Sequence, residues 1–151
     1  MVIHLWLKYP PTPEAASQHA ALCVAAAQLL GDVELDYSVE SLLKLDTLID
    51  RMRQDGATME QMAETLFAFG CYVGEVFVRN VGGRWCRTEG SPLEGVTGFP
   101  IVLRLGPGNY CNPVGTVFKR LGQGAEQGLS SFYALISQRA ASEARHPHAL
   151  H

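Results

Sequence analysis

The chain lacks the side-chain patterns that mark most catalytic and metal-binding proteins. Three of its five histidines, His146, His148 and His151, stand in the last six residues, and only His4 and His19 precede them. A serine or cysteine nucleophile needs an imidazole held within hydrogen-bond reach. The zinc motif HExxH, the nucleophile motif GxSxG and a lysine-containing phosphate loop are missing from the sequence. We therefore expect no catalytic residue, no metal site and no cofactor, and we expect His19 to be a surface or half-buried side chain.

Paired cysteines and long apolar runs are missing as well. The four cysteines form no CxxC pair and no metal-like spacing, so we expect free thiols that pack as small hydrophobic side chains. The longest apolar run, Ala20–Ala27, is far shorter than the roughly 20 residues that cross a bilayer. Residues 1–11 have neither the apolar length nor the cleavage site of a secretory signal. We expect a cytoplasmic protein without a membrane partner.

Charge is modest and is divided unevenly along the chain. The formal net charge is −3, and charged residues make up 18% of the sequence. Residues 1–64 hold ten acids against four bases, whereas residues 65–151 hold five acids against eight bases. A protein that binds polyanions concentrates lysine and arginine on one face. This balance argues against nucleic acid as the partner.

Hydrophobic spacing, helix-start signals and glycine breaks predict five helices and a β-hairpin. The predicted helices run over Glu14–Leu30, from the Ser38 cap to Gly56, from the Thr58 capping box to about Val81, over Val114–Leu121, and over about Ala125–Ala141. The predicted strands are Arg84–Arg87 and Phe99–Leu105, which pair antiparallel, with Val2–Lys8 as an edge strand. We expect one mainly helical α+β domain over residues 1–142, with a small antiparallel hairpin or sheet, and a flexible tail at residues 143–151.

Two glycines inside the third predicted helix need a reason. Gly70 and Gly74 lie one turn apart, and each costs about 1 kcal/mol of helix propensity relative to alanine. We expect the backbone of a neighbouring element to approach the helix at these positions.

The first candidate binding surface is acidic. Its members are Asp32, Glu34, Asp36, Glu40, Asp46, Asp50 and Asp55. We expect Asp46 and Asp50 to face solvent, because they lie opposite the apolar stripe of the second predicted helix. Complementary charge would speed the capture of a basic target. The alternative is an acidic surface that only keeps the protein soluble.

The second candidate surface centres on Glu75, which interrupts an apolar run and precedes Arg79 by four residues. This order favours an ion pair on a helix. One interpretation is an ion pair that seals the helix end beside Arg84 and Trp85. The other is a polar recess lined by these four residues, in which Trp85 packs over a guanidinium group and contacts a partner.

Three blocks of the sequence occur in a recognisable order: LDYSVESLLKLDTLID at Leu35–Asp50, YVGEVFVRNVGGRW at Tyr72–Trp85, and NPVGTVFKRLGQGAEQGLSSFY at Asn112–Tyr133. Together they resemble a family of uncharacterised bacterial single-domain proteins, over about Val33–Ile136. The resemblance implies domain limits and a bacterial origin. Because that family has no established activity, it assigns no role to Glu75 or Trp85.

Small size, an acidic N-terminal half and missing catalytic groups favour a non-catalytic protein-binding module. We expect an immunity-type inhibitor that neutralises a bacterial toxin or effector, and a basic domain as its partner. Two alternatives stay open, an intracellular scaffold or adaptor and a small enzyme that uses Glu75 and Arg79. A cleft that converges on these two residues would favour the enzyme.

Overall fold

Five α-helices and a three-stranded antiparallel sheet form the described part of the chain. The structure, a computed structural model, describes residues 7–124, 126 and 128–145. The helices are α1 (Ala16–Gly31), α2 (Ser41–Gln54), α3 (Ala63–Val81), α4 (Pro113–Gln123) and α5 (Leu129–Arg145). The strands are β1 (Arg84–Arg87), β2 (Ile101–Gly106) and β3 (Asn109–Cys111), in the order β1-β2-β3. This confirms the predicted mainly helical α+β fold with a small antiparallel sheet.

Two of the predicted helix-start signals form their expected hydrogen bonds, but only one of them begins a helix. Asn112 caps α4 as predicted, because its side chain accepts a hydrogen bond from the Gly115 amide at 3.0 Å. Thr58 and Gln61 form the reciprocal bonds of a capping box, at 3.3 and 3.2 Å. Even so, α3 begins only at Ala63, after a turn. The capping box therefore closes the turn that precedes the helix.

Other boundaries differ from those predicted. The turn at Pro107–Asn109 leads into β3, a short strand that the sequence pattern does not predict. Helix α5 begins at Leu129 and continues to Arg145, past the predicted domain end at residue 142. Residues 2–6 of the predicted edge strand and residues 146–151 of the predicted tail lie outside the described residues. Leu7 and Lys8, the end of that predicted strand, are not in a strand.

Helix α3 is the centre of the core. Every residue from Leu66 to Phe77 is buried, as expected for a helix that is apolar on all sides. Helices α1 and α4 pack along it. The Phe77 ring meets Phe132 and Tyr133 of α5, with ring centroids 5.8 and 4.5 Å apart. In the described part of the chain no helix is both long enough and apolar enough to cross a membrane.

The glycines of α3 allow two close neighbours. A Cβ at Gly70 would lie 2.5 Å from the Val114 Cα, so the backbone of α4 approaches this position as predicted. At Gly74 the neighbour is the indole ring of Trp85, a side chain where a backbone was predicted. Gly70 keeps α3 in contact with α4, and Gly74 keeps it in contact with β1, the strand that follows it.

The register of the sheet decides which strand residues face the core. Trp85 of β1 stands opposite Leu103 of β2, and Leu103 stands opposite Cys111 of β3. These residues form the inner face, which covers α3 at Gly74. Because side chains alternate along a strand, the neighbouring positions point the other way. This second side, the outer face, carries Arg84 and Arg104, which are directly opposite each other.

Replacing Gly70 by alanine tests the approach of α4 to α3. We expect Gly70→Ala to lower the free energy of unfolding by about 1–3 kcal/mol, because the contact is with backbone that cannot rotate away. Urea denaturation measures the change. Gly122→Ala is the matched control, since a Cβ there meets only the Met59 sulfur at 3.9 Å. A Gly70→Ala protein at least as stable as the parent would contradict the close approach.

Candidate functional site

Glu75 is a buried carboxylate whose two oxygens both have partners. The Trp85 indole donates a hydrogen bond to Oε2 at 3.0 Å, and the Arg79 Nε lies 3.6 Å from Oε1. A buried charge is costly unless it is paired and hydrogen-bonded. The indole and the guanidinium group together meet this requirement. The predicted ion pair between Glu75 and Arg79 is confirmed.

The composition of the predicted recess is wrong in two respects. The Arg79 guanidinium carbon lies 3.6 Å from the centre of the Tyr37 ring, so the aromatic partner of the cation is Tyr37, and Trp85 packs against Gly74. Arg84 is exposed on the outer face of the sheet, away from Trp85. The physical reason is the alternation of side chains along β1, which sends residues 84 and 85 to opposite faces.

Tyr37 adopts a backbone conformation that few residues other than glycine tolerate. Its φ is 64°, in the left-handed region that costs about 1–3 kcal/mol and needs support from its surroundings. Its amide donates to the Tyr72 hydroxyl at 2.8 Å, and its carbonyl accepts from Asn80 Nδ2 at 3.0 Å. Its ring stacks on that of Tyr72 at 4.8 Å. Contacts from α3 therefore hold both the backbone and the ring of Tyr37.

A directed chain of hydrogen bonds continues from Tyr37 into α2. The Ser41 hydroxyl donates to the Ser38 carbonyl at 2.6 Å, so its single proton is used there. The 2.6 Å contact between Ser41 Oγ and the Tyr72 hydroxyl then requires the tyrosine to donate. Burial raises the pKa of the Tyr72 hydroxyl, which keeps that proton in place at neutral pH. The chain links α3 to the start of α2.

The acidic segment, defined as residues Asp32–Glu40, lies between α1 and α2. Its four carboxylates are exposed, and among the described residues none of them forms an ion pair; they belong to Asp32, Glu34, Asp36 and Glu40. Asp36 accepts hydrogen bonds from the Ser38 hydroxyl at 2.6 Å and the Ser38 amide at 3.0 Å, and these bonds lower its pKa. The segment is therefore a negatively charged surface at neutral pH.

Asp46 and Asp50 do not belong to this surface. Both bind Arg120 of α4, whose side chain is 2% exposed, through contacts of 2.8 Å each. The Asp46 side chain is only 15% exposed, so the prediction that it faces solvent is wrong, whereas Asp50 is 41% exposed. Both Asp46 carboxylate oxygens also accept from the Leu129 amide, at 3.0 and 3.1 Å. Asp46 thus ties α2 to α4 and to the first residue of α5.

The sequence contains a signal for the cluster formed by Arg120, Asp46 and Asp50. Arg120 lies three residues after Val117, on the stripe of α4 that buries Val117 and Leu121. A charged residue on a buried stripe needs a buried partner of opposite sign. The two carboxylates raise the pKa of Arg120 although its burial alone would lower it. The pattern indicates that a partner exists but does not indicate which acids provide it.

No metal site is found among residues 7–124, 126 and 128–145, and the cleft described below lies away from Glu75. No three His, Cys, Asp or Glu side chains in this part of the chain converge to hold a metal ion. A cleft of about 510 Å³ lies between the end of α2 and the end of α4 and includes Asp50, Arg53 and Leu121. Its lining excludes Glu75 and Arg79, so it does not offer the convergence that would favour the small enzyme.

His19 and three of the four cysteines are buried inside the protein, and Cys86 is half-buried. His19 is buried, with Nε2 2.9 Å from the Pro10 carbonyl oxygen and its ring edge-on to Phe67. The expectation of a surface or half-buried His19 is therefore wrong, because α1 turns it towards α3. All four cysteines are free, as predicted. Burial raises the pKa of Cys111 to about 12, which leaves a neutral, unreactive thiol at physiological pH.

Residues 14–138 match the model of a family of unknown function, DUF6278. The match starts before the blocks that carried the resemblance and includes all of α1, α2, α3 and α4 and part of α5. The chain matches no curated protein and no solved structure.

The two aspartates of α2 should differ sharply in their effect on stability. We expect Asp46→Ala to lower the free energy of unfolding by about 3–5 kcal/mol, since it leaves Arg120 without its closest buried counter-charge and the start of α5 without its acceptor. Asp50→Ala removes a half-exposed partner and should cost about 0–1 kcal/mol. Urea denaturation of the two variants measures both. Equal, small losses would show that Arg120 does not depend on Asp46.

Proposed function

We propose that this chain, which belongs to the DUF6278 family of unknown function, is a non-catalytic module that binds a basic protein partner through its acidic segment. The observation that carries the proposal is the set of four exposed carboxylates on residues 32–40, none of which pairs with a cation among the described residues. Exposed charge of one sign attracts an oppositely charged partner and raises the association rate. It also disfavours partners of like charge.

Support from α3 makes this segment a prepared surface. Tyr37, at its middle, is held through its amide, its carbonyl and its ring. At its start, Asp32 has a φ of 52° and accepts from Gln28 at 2.6 Å. A segment that is ordered before binding loses less conformational entropy when the partner docks. The two strained residues therefore hold the backbone that carries the carboxylates.

Apolar side chains at both ends of the acidic segment complete an interface. Leu29 is 87% exposed and Leu30 is also exposed, at the end of α1. Leu43 is exposed in the first turn of α2. Protein interfaces combine apolar anchors with a charged rim. These three leucines are the groups that a partner would bury.

Inhibition of a toxin or effector is the form of this function that we favour. An acidic, preorganised surface can cover a basic active site in the manner of an immunity protein, and the complex would form where the protein is made, in the cytoplasm. A scaffold or adaptor would use the same surface without blocking the partner's activity. The two differ in their effect on the partner and not in the contacts.

A charge-neutral variant tests the proposal. Asp32→Asn, Glu34→Gln and Glu40→Gln together remove three charges while keeping size and hydrogen-bonding capacity, and asparagine tolerates the left-handed conformation of Asp32. We expect basic proteins retained by the immobilised parent chain from its host's lysate to be lost on this variant. Their association with the parent should slow as salt rises, because exposed charges are screened beyond about 8 Å at physiological ionic strength.

The matched control removes three exposed charges elsewhere, through Asp55→Asn, Glu60→Gln and Glu89→Gln. It should retain the same proteins as the parent, and thermal unfolding should confirm that both triple variants stay folded. The retained protein is then assayed, or expressed in cells, with and without the chain. Loss of its activity supports the inhibitor, unchanged activity supports the scaffold, and equal retention by both variants would refute binding through the acidic segment.

A further inference from the structure

A row of three side chains crosses the outer face of the sheet. Arg84 of β1 stands directly opposite Arg104 of β2, and Arg104 stands directly opposite Tyr110 of β3. Both arginines are exposed, and Tyr110 is half-buried. The Arg104 guanidinium carbon lies 6.0 Å from the centre of the Tyr110 ring. The row is at one end of this face, since Val102, two residues before Arg104, is buried.

Two arginines in this arrangement repel each other. Directly opposite residues in an antiparallel pair have Cβ atoms about 4.5–5.5 Å apart, and like charges there destabilise the sheet. In the described part of the chain neither Arg84 nor Arg104 forms an ion pair. The Arg104 Nε is 3.4 Å from the Gly106 carbonyl oxygen, a contact that does not offset the charge. The fold thus keeps an unfavourable pair where other residues would stabilise it.

We propose that this row, Arg84, Arg104 and Tyr110, binds one anionic side chain of a partner protein. A guanidinium group presents a planar set of donors that fits a carboxylate or a phosphate with two parallel hydrogen bonds. An anion between the two arginines removes their repulsion when it binds. Tyr110 adds a ring beside Arg104 and a hydroxyl that can donate to the same anion. The ligand is an Asp or Glu side chain or a phosphorylated side chain.

The surrounding charges favour a protein over a nucleic acid. The row contributes only two positive charges, and the whole chain has a formal net charge of −3. A nucleic acid brings a phosphate at every nucleotide, and its binding rises with the number of phosphates contacted. Two arginines on a chain of net negative charge accommodate one anionic group better than a polyanion. The row is separate from the acidic segment and does not depend on its function.

Labelled peptides test the proposal by fluorescence anisotropy on the full chain. The probes are a peptide with two adjacent glutamates, the same peptide with one phosphotyrosine in their place, a neutral peptide with two glutamines, and a single-stranded DNA decamer. We expect the glutamate or the phosphotyrosine peptide to bind, and the stronger of the two identifies the source of the anion. Arg84→Gln and Arg104→Gln should each weaken that binding at least tenfold.

The control variant is Arg87→Gln, which removes an exposed arginine of the same strand outside the row and should bind within twofold of the parent. Arg84→Glu should abolish binding and raise the midpoint of thermal unfolding by about 1–4 °C, because it turns a repulsive pair into an attractive one. Failure of both anionic peptides, tighter binding of the DNA, or an equal loss in Arg87→Gln would overturn the proposal.

Discussion

The structure depends on the burial of α3 on all sides. Because residues 66–77 of α3 are all buried, each polar side chain among them must find a partner within the protein, and the sequence places a carboxylate and a phenol there. Glu75 therefore needs Trp85 and Arg79, and Tyr72 needs Tyr37 and Ser41. These contacts fix where β1, the acidic segment and the start of α2 lie. The internal polar groups of one helix organise the surface above it.

Electrostatics divides the acidic residues of the N-terminal half into two groups. Asp46 and Asp50 neutralise a buried arginine and so belong to the interior architecture. The carboxylates at residues 32–40 have no such partner in the described part of the chain and remain at the surface. This separation follows from the cost of desolvating Arg120, which draws the nearest acids of α2 towards α4. The second group keeps its charge exposed at the surface.

Two surfaces of opposite charge result from this arrangement. The acidic segment is held by α3 on one side of the domain core, and the arginine row stands on the outer face of the sheet. The two surfaces are assembled differently. The acids lie close together in the sequence, whereas Arg84 and Arg104 are brought together only by strand pairing. A chain whose net charge is close to neutral can therefore offer a distinct local charge to each of two partners.

The sequence by itself determined the local elements. Apolar spacing predicted the helices and the two longer strands. Asn112 and Pro113 marked the start of α4, and Gly70 indicated the close approach of a neighbouring element. These signals succeed because helix periodicity, capping and the cost of glycine act over a few residues. The acids at residues 32–40 belong to the predicted acidic surface and are exposed, whereas Asp46 of the same predicted surface is not. The pair of Glu75 and Arg79 was found because it spans a single helical turn.

Only the tertiary structure decided which charged and polar side chains contact each other. Arg120 binds Asp46, which lies 74 residues away in the sequence. Asn80 donates a hydrogen bond to the Tyr37 carbonyl, 43 residues away. Periodicity tells which face of a helix a residue occupies, but it cannot tell which element covers that face or what charge the element brings. Strand pairing likewise decides that Arg84 and Trp85 lie on opposite faces of the sheet and that Arg84 stands opposite Arg104. The sequence alone does not give this register. Burial and ion pairing are properties of the packed chain. The desolvation of a charged group depends on all the atoms that surround it in space, and most of these come from residues that are distant in the sequence.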